Sequence, residues 1–168
     1  MTKISNRKLW YLQLSGIQNM TCHDVPAAHA YKAVKLKQEV QKAVEALSAE
    51  ARKLMDEVGI TDMDADRKRL AELKDRRSSL TEQELKEYDT LSDKIKRYEE
   101  LESALMDEEV EINVKTMPYD VWHALQRENA KRSIRIGGKV LYDVDLLTEL
   151  ENTLEGILWV APEENDEP

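Results

Sequence analysis

The stretch EVQKAVEALSAEARKLMDEVG, Glu39 to Gly59, decides how this chain folds. Its apolar residues recur at alternating steps of four and three, and they are Val40, Val44, Leu47, Ala51, Leu54 and Val58. Such a seam is typical of a helix that packs lengthwise against a second helix. Asp24 is a suitable N-cap, Pro26 suits the first turn, and Gly59 suits the left-handed position that ends a helix. The sequence therefore predicts one long helix that ends at Val58.

A second seam further along the chain supplies a packing partner. It follows a capping-box pattern at Thr81 and Glu84. Its apolar members are Tyr88, Leu91, Ile95, Tyr98 and Leu105, with Leu101 beside them and Glu102 where the repeat lacks an apolar residue. A shorter helix is predicted over residues 64–77, between the two seams. Closing a loop within one chain costs less entropy than recruiting a second molecule. We therefore expect an antiparallel helical hairpin in preference to a parallel dimer.

Short strands are expected directly before and directly after this hairpin in the sequence. The segment KLWYLQLSG predicts a strand that ends near Gly16. One side of this strand would carry Trp10, Leu12 and Leu14, and the other side Leu9, Tyr11 and Gln13. In EEVEINVKT, Val110, Ile112 and Val114 alternate with polar residues, which predicts a second strand beside the first. Three further elements are predicted. The first is a short helix in MPYDVWHALQREN, with Pro118 near its start. The second is a β-hairpin in SIRIGGKVLY that turns at Gly137 and Gly138, and the third is a helix in DVDLLTELENTLEGILW that ends at Gly156.

The expected fold class is α+β and mostly helical. A long antiparallel coiled-coil hairpin is expected to be rooted in a small β-sheet with short C-terminal helices. Residues 1–24 and 107–160 are assigned to a small α+β base and residues 25–106 to the helical hairpin. Residues 161–168 are assigned to a flexible acidic tail.

The charge distribution argues against a nucleic-acid partner. The chain has 168 residues and a net charge of −9, and from Leu141 to the end it has nine acidic and no basic residues. Residues 1–140 therefore carry 25 basic and 34 − 9 = 25 acidic residues. Binding to a phosphate backbone requires a clustered cationic face. The single cysteine, Cys22, suits a reducing compartment, and no apolar run is long enough to span a membrane. We expect a cytoplasmic protein.

The residue types capable of chemistry are sparse. Cys22, His23 and His29 form the one cluster of reactive types, beside Asp24. A tight zinc site requires four ligands, and a Cys–His nucleophile would need a supporting loop motif, so a capped helix start is the favoured interpretation. We expect no catalytic residue, no metal and no cofactor.

Other polar residues have ordinary structural interpretations. His123 is interpreted as a surface or boundary residue, and Gly137-Gly138-Lys139 lacks the spacing of a phosphate-binding loop. The carboxylate pairs Glu99-Glu100 and Glu108-Glu109 are interpreted as a solvated face.

Three aromatic residues are candidates for binding a partner. Tyr88 and Tyr98 occupy seam positions where Leu or Ile is usual, and a tyrosine hydroxyl requires a polar partner. They either tolerate a wetter hairpin or anchor another protein. Trp159 follows the last predicted helix and either closes the base or is exposed for docking.

The order of elements over roughly residues 8–159 resembles that of small tailed-phage and prophage proteins. The resemblance is carried by PAAHAYKAVKLKQEV at the start of the long helix, YDTLSDKIKRYEEL in the return helix, the strand EEVEINVKTM and the ending LENTLEGILW. The additional helix and turn at 61–80 and the RIGG hairpin depart from that pattern.

The resemblance implies a non-catalytic protein that acts in the host cytoplasm by binding another protein. It would be an accessory or assembly factor for virion proteins, or a binder that disables a host defence component. The alternatives are a Cys/His-dependent or metal-binding enzyme and a structural coiled-coil oligomer. A monomer and a small homo-oligomer are both compatible with the sequence.

Overall fold

A computed structural model describes residues 1–14, 17–19, 26–114, 117–121, 123–124, 133–136, 139–142 and 159–160. The fold is α+β and mostly helical, with a long helical hairpin and short strands, as predicted. The chain divides into two compact units. We call Met1–Glu45 with Glu109–Pro168 the sheet unit and Ala46–Glu108 the hairpin unit.

The sheet unit contains an antiparallel pair formed by β1 (Thr2–Ser5) and β2 (Glu109–Ile112). Ile4 lies opposite Val110 in the register, and the Thr2 hydroxyl donates to the Val114 carbonyl oxygen at 2.6 Å. The strand predicted in EEVEINV is confirmed over Glu109–Ile112, where Ile112 is buried, and Val114 is buried just beyond the end of the strand.

The strand predicted in KLWYLQLSG is wrong, because this segment forms helix α1 (Asn6–Leu14). Apolar residues at almost every position fit a strand and a helix equally well, and the helix buries Leu9 and Leu12 one turn apart. The backbone N–H of Lys8 donates to the Ser5 Oγ at 3.2 Å, so Ser5 acts as an N-cap. The strand that pairs with β2 therefore precedes α1.

Two further strand pairs belong to the sheet unit. β3 (Met117–Pro118) pairs in parallel with a later strand (Trp159–Val160), and β4 (Ser133–Ile136) pairs antiparallel with β5 (Lys139–Tyr142). Ile136 lies opposite Lys139, so the predicted two-residue connection is confirmed. The Trp159–Val160 strand is β6.

The helix predicted around Pro118 begins later than expected. Met117–Pro118 is a strand, and helical conformation covers residues 119–121 and 123–124. The predicted Asp24 cap, the final helix ending at Gly156 and the tail over residues 161–168 lie outside the described residues.

Helix α2 (Ala27–Val58) ends as the sequence predicts. Gly59 has φ +73°, the left-handed conformation. The N–H of Gly59 donates to the Asp56 carbonyl oxygen at 3.1 Å and that of Ile60 to the Met55 carbonyl oxygen at 2.9 Å. This is a Schellman C-cap, and Ile60 is buried behind it.

The hairpin unit is completed by α3 (Met63–Asp75) and α4 (Glu82–Asp107). Arg67 near the start of α3 pairs with Glu99, whereas Arg76, the C-cap of α3, pairs with Glu84, which lies earlier on α4. The two helices are therefore antiparallel. The predicted short helix over residues 64–77 is confirmed as α3.

The predicted packing of α2 with α4 is also observed. Lys94 Nζ of α4 donates to the Gly59 carbonyl oxygen at 3.1 Å, which joins α4 to the end of α2. Leu47, Ile95 and Tyr98 of the predicted seams are buried. One limb of the hairpin is thus broken into α2 and α3 at Gly59, and the return limb is the continuous helix α4.

Candidate functional site

Helix α1 exposes large apolar side chains on one face. It buries Leu9 and Leu12, while Trp10, Tyr11 and Leu14 are 38%, 48% and 57% exposed. Trp10 and Leu14 are four residues apart and therefore neighbours on the helix surface. Adjacent exposed apolar side chains of this size are typical of interaction surfaces.

The first half of α2 has an outward stripe as well as a buried one. The buried stripe contains Ala33, Leu36, Val40 and Val44. The outward stripe contains Tyr31, Val34, Gln38, Gln41 and Glu45, at steps of three and four, and all five are exposed. Tyr31 is 69% exposed and Val34 is 43% exposed. The outward stripe therefore begins with an apolar pair and continues with polar side chains.

A groove of about 400 Å³ lies along this part of α2. It is lined by Gln18, Val34, Lys37, Gln38, Gln41, Lys42 and Glu45, and we call it the α2 groove. Gln18 Nε2 donates to the Lys37 carbonyl oxygen at 3.1 Å, which fastens the 3-10 turn Ile17–Asn19 to α2. Ile17 is buried beneath this turn. At the far end of the groove, Gln41 Nε2 donates to Glu45 Oε1 at 2.7 Å.

This part of the sheet unit is cationic. Residues 26–45 contain four lysines (Lys32, Lys35, Lys37 and Lys42) and two glutamates. Glu39 Oε2 accepts a hydrogen bond from the Asn113 backbone N–H at 3.1 Å, and Glu45 is bonded to Gln41. Residues 1–14 add three basic residues and no acidic one. The surface therefore favours acidic partners.

Tyr98, one of the three aromatic candidates, belongs to the hairpin seam. It is buried, and its hydroxyl donates to Glu102 Oε1 at 2.9 Å. Burial, followed by the hydrogen bond to Glu102, raises the pKa of Tyr98 to about 12. The glutamate that interrupts the apolar repeat is therefore the polar partner that the tyrosine requires.

Tyr88 and Trp159 have different surroundings. Tyr88 is half-buried, and the Arg77 guanidinium lies 5.7 Å from the centre of its ring, a cation–π geometry. Trp159 pairs with Met117 through the backbone of β6 and β3, and its side chain lies outside the described residues. Tyr88 and Tyr98 lie about 15 Å apart along α4, because each residue of a helix advances 1.5 Å.

The reactive residue types are placed as follows. Cys22, His23 and Asp24 lie outside the described residues, and His29 is half-buried in the first turn of α2. Within the described ranges, no group of three His, Cys, Asp or Glu side chains could hold a metal ion. His123 is exposed, and its ring stacks on Tyr119 with 5.9 Å between centroids.

The acidic pairs lie on the surface of the molecule. Glu99 pairs with Arg67 at 3.2 Å and Glu100 lies 3.9 Å from Arg97, and all four side chains are more than half exposed. Glu108, the C-cap of α4, and Glu109, the first residue of β2, are exposed. These carboxylates form the solvated face that the sequence predicts.

Ion pairs also join α3 to α4 across the hairpin. Arg69 donates twice to Glu87, at 2.7 and 2.9 Å, and this pairing lowers the pKa of Glu87. The Thr81 backbone N–H, followed by Arg76, lowers the pKa of Glu84. The capping box predicted from Thr81 and Glu84 is confirmed.

Sequence reasoning missed the exposed residues of α1 and α2. A strand would place Trp10 and Tyr11 on opposite sides, so the shared exposure of Trp10, Tyr11 and Leu14 on helix α1 was not predicted. Tyr31 and Val34 were not identified as exposed, because only the apolar stripe that α2 buries was considered. The signal was present, because Tyr31, Val34, Gln38 and Gln41 repeat at helical spacing.

Comparison with protein-family models, with curated proteins and with solved structures gives no match to this chain. Over the stretches that the structure describes, no helix is both long enough and apolar enough to cross a membrane.

Proposed function

We propose that this protein acts by binding another protein, without catalysing a reaction, through the outward faces of α1 and α2. The observation that carries the proposal is the exposure of Trp10, Tyr11 and Leu14 on α1 together with Tyr31 and Val34 on α2. Aromatic side chains contribute a large share of binding energy at protein interfaces.

The buried faces of the same helices support this proposal. Leu9 and Leu12 anchor α1, and Leu36 and Val40 anchor α2, all of them fully buried. The exposed aromatic side chains therefore stand on helices that are already ordered. Preorganisation of this kind reduces the entropy lost on binding.

The resemblance to tailed-phage proteins supports two kinds of partner in the host cytoplasm. One is a virion component that the protein helps to assemble, and the other is a host defence protein that it disables. Both roles require a stable binding surface and no chemical step.

Affinity capture from infected and uninfected host cells, followed by mass spectrometry, tests the proposal. The bait proteins are the wild type, the double variant Tyr11→Ser with Leu14→Ser, and Leu85→Ser as a control. Leu85 lies on α4 in the hairpin unit and is 42% exposed. We expect one protein to be retained by the wild type and the control, and retention by the double variant to fall at least about tenfold, as for loss of an interface hot spot.

The captured protein is then purified and titrated against each bait by calorimetry. Its identity distinguishes a virion component from a host protein. Equal affinity of all three baits, or no protein whose retention depends on Tyr11 and Leu14, would overturn the proposal.

A further inference from the structure

We propose that the α2 groove binds an acidic amphipathic helix of a partner protein. This inference rests on the proposed function and adds the chemistry of the partner.

The spacing of the outward stripe fits a helical ligand. Tyr31, Val34, Gln38 and Gln41 follow one another at steps of three, four and three along one face of α2. A partner helix laid lengthwise on this face meets one side chain per turn, as in helix-in-groove recognition. Gln18, which is held against α2 by its hydrogen bond to the Lys37 carbonyl oxygen, lines the groove beside this face.

The order of side chains along the stripe fixes the pattern that the ligand must carry. Tyr31 and Val34 require apolar partners at one end. Gln38 and Gln41 present amide groups further along, where polar side chains of the ligand fit. The ligand is therefore apolar towards the start of α2 and more polar towards Glu45.

The flanks of the stripe select the sign of the ligand's charge. Lys35 and Lys42 lie seven residues apart along one flank of the stripe. Acidic residues at the edges of the ligand's apolar face would meet these lysines. Such charge pairs contribute to specificity and association rate, and salt weakens them.

Two labelled synthetic peptides test the inference against the full-length protein by fluorescence anisotropy. The first has leucines at heptad spacing with glutamates elsewhere, and the second has lysine in place of every glutamate. We expect saturable binding of the glutamate peptide and at least tenfold weaker binding of the lysine peptide, roughly the effect of an unfavourable set of charges.

Variants on the outward side of α2 and on the hairpin unit provide the matched comparison. Lys42 lines the groove, and Lys35 and Tyr31 lie beside it on the same helix. The double variant Lys35→Glu with Lys42→Glu, and separately Tyr31→Ser, should each weaken binding of the glutamate peptide about tenfold. Lys86→Glu is the control, because Lys86 lies on α4 and its side chain is 77% exposed. It should leave the affinity within about twofold, as expected for a surface charge away from the site. Thermal unfolding of each variant verifies that it is folded.

Three kinds of result would overturn the inference. The first is a failure of the expected peptide preference, either because both peptides bind equally or because the glutamate peptide does not bind. The second is displacement of that peptide by a single-stranded or double-stranded oligonucleotide, which would make the groove a nucleic-acid site. The third is self-association that Tyr31→Ser abolishes, which would make a second copy of this chain the occupant.

The capture experiment distinguishes failure of the inference about the α2 groove from failure of the proposed function. If capture depends on Tyr11 and Leu14 while the groove variants have no effect, the protein binds a partner but the groove does not recognise it. If capture fails while the peptide binds as expected, the groove is a recognition site and the α1 face is not.

Discussion

At the scale of single residues, Tyr98 and Glu102 show how a polar pair is accommodated in a helical seam. The hydroxyl of Tyr98 is removed from water and donates to the carboxylate one turn further along α4. A buried hydroxyl without an acceptor is destabilising. Glu102, which interrupts the apolar repeat, therefore stabilises the burial of Tyr98 one turn earlier on α4. Burial of the phenol, followed by its hydrogen bond to Glu102 and the charge of that carboxylate, raises the pKa of Tyr98 to about 12.

This pair predicts a loss of stability at alkaline pH. The pKa of Tyr98 is about 12 in the folded state, above the ordinary value of 10.0. The stabilising contribution is therefore complete below pH 10 and is lost as the pH rises from 10 to 12. In Tyr98→Phe, we expect the free energy of unfolding at neutral pH to fall by about 1 kcal/mol, the usual value of one hydrogen bond.

Urea unfolding at several pH values measures this effect. Tyr98→Phe should lose less stability than the wild type between pH 10 and 12. The control is Tyr88→Phe on the same helix, which should keep the wild-type profile. Identical alkaline profiles for the wild type and Tyr98→Phe would contradict the assignment.

Gly59 gives a second prediction at the residue scale. A β-carbon at this position would lie 3.6 Å from Lys94 Nζ, an ordinary contact, so the cost of a side chain arises from the backbone at φ +73°. We expect Gly59→Ala to lower the free energy of unfolding by about 1–2 kcal/mol. Gly59→Asn should cost less, because Asn adopts the left-handed conformation more readily. Equal stability of the wild type and Gly59→Ala in thermal unfolding would rule out this account.

At the scale of elements, the start of α4 depends on a reciprocal cap. The Thr81 Oγ1 accepts from the Glu84 N–H at 3.2 Å, and Glu84 Oε2 accepts from the Thr81 N–H at 2.9 Å. Both bonds satisfy donors that a helix N-terminus leaves without an intrahelical partner. Arg76 adds an ion pair to Glu84 at 2.9 Å, so the cap also joins the end of α3 to the start of α4.

Removal of this cap should destabilise the hairpin unit. We expect Thr81→Ala to lower the free energy of unfolding by about 1 kcal/mol. Thr90→Ala is the control, since Thr90 lies inside α4 with its hydroxyl donating to the Lys86 carbonyl oxygen, and alanine favours the helix interior. Chemical denaturation followed by circular dichroism compares the two. A larger loss in Thr90→Ala than in Thr81→Ala would be inconsistent with a cap at Thr81.

The elements also show what sequence patterns can predict. The end of α2, the start of α4 and the β4–β5 hairpin were predictable because a glycine, a capping box and a Gly-Gly pair act locally. The conformation of residues 6–14 was not, because Leu9 to Leu12 are apolar without a clear period. Ser5 three residues before Lys8 was the local signal for a helix.

The candidate site could be predicted only in part. Tyr98 was identified as an unusual seam residue, but its role depends on the contact with Glu102, which spacing alone does not establish. The exposure of Tyr11 and Tyr31 depends on which faces of α1 and α2 are buried by the rest of the sheet unit. That is a tertiary property, and the pattern of a single helix does not contain it.

At the scale of the whole molecule, one stripe of α2 supplies apolar surface to both units. Leu36, Val40 and Val44 are buried in the sheet unit, and Leu47 is buried in the hairpin unit. Each unit thus takes part of its buried apolar surface from the same helix. Within the hairpin unit, Ile95 and Tyr98 of α4 are buried as well.

A monomer is the expected consequence of this arrangement. Apolar surface that is already buried within one chain gives no driving force for pairing with a second chain. We expect the isolated wild-type protein to have the mass of one chain in light scattering at all concentrations tested. Leu47→Asp should unfold the hairpin unit, because it places an unpaired charge in the seam, and it should leave the mass unchanged. A dimer that Leu47→Asp converts into a fully helical monomer would show that the seams pair between chains instead.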